Sequence, residues 1–260
     1  MHEGKVRQAV ILAAGNGSRM ASAADLPKPL VEVGDQPLMG HILGWLEECG
    51  LERVFIVVGY RGLEIRRQFE SYHGLPIEWV HNPLYDRPNG VSLLAVEDLV
   101  ESSFLLLMSD HLFQPATLRA LLEREVPEHG GILATDSKLS DVFDLQDATK
   151  VHCVDNCIQD LGKNLDDYNA VDTGMFSLSP TVFWAMRDSR NRGDASLSGG
   201  ILSLARQSHV ETWDIGSNLW IDIDTPQARD EAERMLAQGC FSAIPKSFPT
   251  AKPQRATPNL

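Results

Sequence analysis

With 260 residues, 43% of them hydrophobic, the chain is long enough to bury a substantial core, in one large α/β domain or two small ones. Its formal net charge of −13 argues against a general nucleic-acid binder, which carries a basic surface. The acidic balance suits a protein that admits anions only at a local positive site.

Apolar runs such as Phe104 to Met108 are far shorter than the ~20 residues that cross a bilayer. The N-terminal residues run straight into a strand-like segment without a leader pattern, so a soluble, cytoplasmic protein is expected. Cys153 and Cys157 lie four apart, but no second pair or His–His pattern completes a zinc site. Reduced cysteines are expected, including Cys49 and Cys240.

In chain order, Gln8–Ala13 is a continuous apolar run ending at glycine, the pattern of a strand buried on both faces. Leu38–Cys49 has helical spacing and stops at Gly50. Strands follow at Arg53–Val58, Ile77–Val80 and Ser103–Met108, alternating with helices at Gly62–Tyr72, Val91–Val100 and Pro115–Glu123. Strand–helix alternation of this kind predicts a doubly wound parallel sheet, with ligands beyond the carboxyl ends of its strands. The second half is less regular. Strands are expected at Gly131–Thr135, Lys150–Val154, Cys157–Leu161, Ala170–Leu178, Val210–Asp214 and Leu219–Ile223. Helices are expected at Pro180–Arg187, Leu197–Gln207 and Pro226–Ala237. The fold class is therefore α/β: a Rossmann-like domain over 1–244 with a mostly parallel, mixed sheet flanked by helices. No linker forces a cut within it. The proline-bearing tail, 245–260, is expected to be disordered.

The first predicted strand ends in Leu12-Ala13-Ala14-Gly15-Asn16-Gly17-Ser18-Arg19-Met20. Glycines allow a tight turn whose amides converge on one point, as a phosphate requires. The P-loop pattern is absent, and Met20 stands where a dinucleotide fingerprint needs its third glycine, which argues against a dehydrogenase. Arg19, and Lys28 stiffened by Pro27 and Pro29, add two cations to the same loop. Asp110 follows a predicted buried strand, and Asp222 and Asp224 lie at the end of another. Carboxylates so placed can share a Mg²⁺ ion with substrate phosphates and water. Asp110 and Asp224 could equally cap the helices that follow them.

The turn and the Pro27-Lys28-Pro29-Leu30 run resemble the signature of the sugar-phosphate and alcohol-phosphate nucleotidyltransferases. The resemblance implies that Leu12 to Ser18 wrap a nucleoside triphosphate. It also implies that Arg19 and Lys28 neutralise departing pyrophosphate, and that Asp110 and Asp224, with Asp222 as partner, hold magnesium. Further segments, including Asn82-Pro83-Leu84-Tyr85, Asn89 to Leu94, Ala148 to Val151 and Ala170 to Phe176, resemble the branch of this family that makes CDP-inositol from CTP and inositol-1-phosphate.

In that branch Asn89 and Ser92 would touch base or ribose. Lys150, Asp172 and Thr173 would meet the acceptor, and Lys163 would hold the acceptor's phosphate. The nucleotide would occupy the half over about 6–125 and the acceptor the half over about 126–244. No nucleic acid and no direct membrane insertion are implied. The branch is often fused to a membrane phosphotransferase, so that downstream step would fall to a separate protein. Phosphocholine, 2-aminoethylphosphonate and sugar phosphates stay open as acceptors. A non-catalytic nucleotide-binding regulator is a remoter alternative, since such a protein would usually lack one of Arg19, Lys28, Asp110 or Asp224.

Overall fold

The computed structural model describes residues 5–17, 26–207 and 210–241. Ser18, Arg19 and the 245–260 tail therefore lie outside the described residues. Strand β1 (Gln8–Ala13) is buried at every position, as its uninterrupted apolar sequence requires. It pairs in parallel with β4 (Arg53–Val58) on one side and β6 (Phe104–Met108) on the other. Strand β5 (Ile77–His81) adds in parallel beyond β4. The intervening ribbon β2 (Glu32–Val33) and β3 (Gln36–Pro37) leads into α1 (Leu38–Glu48). Helices α2 (Gly62–Gln68) and α3 (Gly90–Leu94) complete the crossovers.

Past β6 the sheet turns mixed. A short β7 (His111–Phe113) precedes α4 (Pro115–Leu122), β8 (Gly131–Asp136), β9 (Lys150–Val154), β10 (Cys157–Gly162) and β11 (Ala170–Leu178). Then come α5 (Thr181–Asn191), α6 (Leu197–Gln207), β12 (Val210–Asp214), β13 (Trp220–Asp222) and α7 (Pro226–Ala237). The nine-stranded sheet runs β5-β4-β1-β6-β11-β8-β12-β10-β9. Its β5-β4-β1-β6 half is parallel, β11 lies antiparallel between β6 and β8, and β12 is parallel to β8. This is an α/β fold with helices on both faces.

Alternation along β1 divides the core. Ala9, Ile11 and Ala13 face a layer built from α1, α4 and α7, whose anchors include Trp45, Leu118 and Ala232. Val10 and Leu12 face the layer of α3, α5 and α6, with Leu93, Phe183 and Ile201. Among the described residues no helix is long and apolar enough to cross a membrane. Cys153 and Cys157 sit on the β9–β10 hairpin, where Ile158 opposes Cys153 and Val154 opposes Cys157. The two thiols therefore point to opposite faces.

Two predicted helices prove shorter. The Gly62–Tyr72 helix ends at Gln68, and the Val91–Val100 helix gives way to turns after Leu94. Strand β7, not predicted, has only three residues and finds its one partner in β13, more than a hundred positions away. Such a pairing leaves no local periodicity to read.

Helix α3 meets the α5–α6 layer at Gly90. A methyl group there would lie 2.2 Å from Met186 Cε and 2.5 Å from the Ala195 carbonyl oxygen. Gly90→Ala should therefore lower stability by ~1–3 kcal/mol through overpacking, measured as a reduced midpoint of denaturant unfolding.

Candidate active site

The glycine turn leaves the carboxyl end of β1. Gly17 adopts φ +57°, and a side chain there would crowd Lys28 Cβ at 3.1 Å, so glycine lets the turn lie against the lysine stem. Lys28 opens a 3₁₀ turn, Lys28–Leu30, in which Leu30 N donates to Pro27 O at 2.8 Å. The flanking prolines fix this backbone and leave the lysine buried with its head in the cleft.

Asp110 is placed by the strand beside β1. Ser109 N extends the β1–β6 ladder by donating to Leu12 O at 3.2 Å. Ile223 N donates to Asp110 O at 2.9 Å, and Asp222 lies opposite His111 where β13 pairs with β7. These backbone bonds bring Asp110, Asp222 and Asp224 together from positions far apart in sequence. Lys28 Nζ donates to Asp110 Oδ2 at 2.7 Å, also bonds Asp224 Oδ1, and stands 3.7 Å from Asp222 Oδ1. Neither aspartate serves as a helix cap. Thr225 caps α7, accepting from Ala228 N at 3.2 Å, and Gln114 occupies the N-cap of α4.

Three converging carboxylates outnumber the cations beside them, Lys28 and protonated His111, and leave the cluster negatively charged. Oxygen donors of that kind suit a hard divalent cation. Ligand atoms of Asp110, His111 and Asp222 lie within 4.8 Å of one another, as do those of Asp147, Asp222 and Asp224. Burial pushes the Asp110 carboxyl up, but the Lys28 and His111 charges outweigh it and hold the group well below the usual carboxylate range. Burial lowers His111, while Asp222 and Asp110 more than offset that and raise it.

Sequence reading passed over the residues that hold this cluster. His111 Nδ1 lies 2.8 Å from Asp110 Oδ1, and its ring stacks on Trp220 at 5.7 Å and 11°. Trp220 Nε1 donates to Asp136 Oδ2 at 3.0 Å, and Lys138 Nζ donates to Asp136 Oδ1 at 2.7 Å. His111 adjoins Asp110 in the sequence, and Asp136 closes a predicted strand, so position alone carried a signal for both.

Two cavities meet at the carboxylates. The first, about 260 Å³, is lined by Leu12 to Gly17, Lys28, Tyr85, Arg87, Asn89 and Ser92. The second, about 500 Å³, is lined by Lys138, Lys163, Asp172, Trp220 and a set of further aspartates. Asn89, Met108, Asp110 and Asp224 border both.

Asn89 and Ser92 face the smaller cavity with their oxygens already engaged. Asn89 Oδ1 accepts from Leu197 N at 3.0 Å, and Ser92 Oγ accepts from Asn82 Nδ2 at 2.9 Å. Lys163 lines the larger cavity, paired with Asp147 Oδ1 at 3.0 Å. Two expected acceptor contacts need correction. Thr173 is fully buried and donates to Ala134 O at 2.7 Å, inside the sheet. Lys150 is buried and donates to Gln146 O at 2.6 Å, so it borders neither cavity. Around Thr173, β11 shifts register against β8 between Asp172 and Phe176, and Asp172 lines the larger cavity. Burial pushes the Asp172 carboxyl up to about 6, opposed by the Gly174 amide and His111.

Residues 9–154 match the family described as the MobA-like NTP transferase domain. The bifunctional IPC transferase and DIPP synthase of Thermococcus kodakarensis is 33% identical over 93% of this chain but 53% of its own length. The chain thus spans about half the length of that relative. UTP–glucose-1-phosphate uridylyltransferase AglF of Haloferax volcanii is 31% identical over 89% of this chain and 97% of its own. The inositol-1-phosphate CTP transferase from T. maritima superposes with a TM-score of 0.77 at 28% identity, covering 91% of this chain and 98% of that one. The chain belongs to the MobA-like NTP transferase family.

Thr173→Val should cost ~1–2 kcal/mol by removing a buried hydrogen bond, with the acceptor KM unchanged in steady-state assays. The Asp172 carboxyl is raised, so its contribution to stability is fully present below its ordinary value of 3.8 and lost as pH rises through about 6. Asp172→Asn should therefore flatten the pH dependence of unfolding between these limits and stabilise the fold at neutral pH relative to the parent.

Proposed function

We propose that this protein transfers CMP from CTP to inositol-1-phosphate, giving CDP-inositol and pyrophosphate, with Mg²⁺ as the cofactor. The observation that carries the reading is the junction of two cavities at one cluster of carboxylates. Family membership and the resemblance to the T. maritima enzyme support the reaction class and the choice of substrates.

The glycine turn and Lys28 belong to the smaller cavity, which would hold the nucleotide half of the reaction. The larger cavity would take the acceptor. It is lined by Asp136, Asp144, Asp147 and Asp172 among other acids, and by two lysines, each paired with an aspartate. Carboxylates accept hydrogen bonds from hydroxyls, so the wall suits a polyol whose phosphate is met by Lys163 or Lys138. In this reading the nucleotide is assigned to a half over about 6–125 and the acceptor to a half over about 126–244. The cytoplasm is the proposed location.

The acceptor's phosphate oxygen forms a bond to the α-phosphorus as the bond from that phosphorus to the bridging oxygen of pyrophosphate breaks. A phosphomonoester is already an anion near neutral pH, so the chain supplies position and charge rather than a base. Mg²⁺ held by Asp110, Asp222 and Asp224 would neutralise charge on the triphosphate. Lys28, between the glycine turn and the carboxylates, would pass from carboxylate to phosphate, and Arg19 would join it on pyrophosphate. Trp220 and His111 keep Asp110 in place, and Lys163 aligns the attacking phosphate.

Asp110→Ala and Lys28→Ala should each cut turnover by ~10²–10³ while leaving a folded protein by circular dichroism. Near-normal turnover of folded Asp110→Ala would overturn the metal assignment. Pyrophosphate release, measured with each NTP against inositol-1-phosphate, phosphocholine and glucose-1-phosphate, should be greatest for CTP with inositol-1-phosphate. Absence of release with that pair would overturn the substrate assignment.

A further inference from the structure

We propose that Asp136 is a positioning residue for the divalent cation: it fixes the Trp220 indole, the indole holds His111, and His111 aims the Asp110 carboxylate. This rests on the reading that Asp110, Asp222 and Asp224 hold Mg²⁺, and it names a residue that sets the affinity of their site. Asp136 closes β8 and is buried, yet its carboxylate is fully engaged. Oδ1 accepts from Lys138 N at 2.8 Å and from Lys138 Nζ at 2.7 Å, and Oδ2 accepts from Trp220 Nε1 at 3.0 Å. Lys138 Nζ also donates to Gly216 O at 2.5 Å, so the neutralising cation is itself tied to the turn after β12. A buried carboxylate is costly, and apolar side chains often hold such a seam as well. What the acid adds is a direction, given to one N–H donor.

The links from Asp136 to Asp110 each remove a freedom. Trp220 is only partly buried on the wall of the larger cavity, so its neighbours do not enclose the ring, and the Nε1 bond to Asp136 fixes its plane. His111 stacks on that plane at 5.7 Å and 11°. The His111 ring edge lies against Gly174, where φ is +76° and a Cβ would come within 2.8 Å of His111 Cδ2.

With an edge closed by backbone and a face closed by the indole, His111 Nδ1 meets Asp110 Oδ1 at 2.8 Å. Asp110 Oδ2 is left to face Lys28 Nζ at 2.7 Å, beside Asp222 and Asp224. Trp220 and Asp222 are two apart in β13 and share a face, so the same indole steadies the strand that carries a second carboxylate. Partners that orient metal ligands in this way typically govern metal affinity by about 10–100-fold.

Titration of the acceptor-free protein with Mn²⁺, followed by the electron paramagnetic resonance signal of the free ion, reads the site without turnover. Asp136→Asn keeps the side-chain shape but cannot accept from both Lys138 and Trp220. It should raise the Mn²⁺ Kd about tenfold while keeping the parent's circular dichroism. Trp220→Phe keeps a ring for His111 and removes the N–H, and should have a similar effect. The double variant should bind no more weakly than either single one, because both cut the same link. The Mg²⁺ concentration for half-maximal pyrophosphate release should rise in step, with the KM for inositol-1-phosphate unchanged. An unchanged Mn²⁺ Kd in either folded single variant, additive losses in the double variant, or an effect confined to the acceptor KM overturns the proposal. A parent protein that binds no Mn²⁺, or whose binding survives Asp110→Ala, overturns the metal reading itself, and this proposal with it.

Discussion

The ammonium of Lys28 lies among three carboxylates, and charges of like sign are costly to gather away from bulk water. Asp110, Asp222 and Asp224 nonetheless converge, because backbone pairing leaves them no alternative. Strand β6 runs beside β1, β7 pairs with β13, and the Asp110 carbonyl accepts from Ile223. The energy to hold the acids together comes from the sheet and its two hydrophobic layers, not from the acids. The result is a fixed negative pocket beside the glycine turn. The lysine reduces the excess charge and ties the two features to each other.

Around this point the molecule divides its work by face and by half. The parallel half of the sheet delivers the glycine turn at its carboxyl edge, as doubly wound folds do. The mixed half supplies the acidic wall of the larger cavity. Asn89 lies on the border, with its side chain bonded to the first turn of α6, so the two cavities are built against each other rather than merely adjacent. The chain of Lys138, Asp136, Trp220 and His111 then supports Asp110 from the side of the larger cavity.

Legibility followed burial. Strands covered on both faces, such as Gln8–Ala13 and Arg53–Val58, announce themselves as unbroken apolar runs, and the turn after the first was readable from its glycines and cations. Asp110 was legible because it ends such a strand. The same rule applied to Asp136 would have found the Trp220–Lys138 network. Thr173 and Lys150 were expected at the acceptor through the resemblance alone, and no local pattern told that Thr173 would bond Ala134 O inside the sheet or Lys150 the Gln146 carbonyl. No local pattern marks the β7–β13 pairing, which depends on residues over a hundred positions apart.

Glycines at 59, 90 and 174 mark where the walls of the cleft touch. A methyl group at Gly174 would lie 2.8 Å from the His111 ring, and those at Gly59 and Gly90 would collide outright. The backbone at these three positions lies too close to its neighbours to admit a side chain without a shift. Engineering of the site is steered instead to side chains on loops, such as Lys138, Phe143 and Asp144 lining the larger cavity. The close approaches at these glycines fix where the frame has no room to spare, and the loops lining the larger cavity are where side chains can be exchanged.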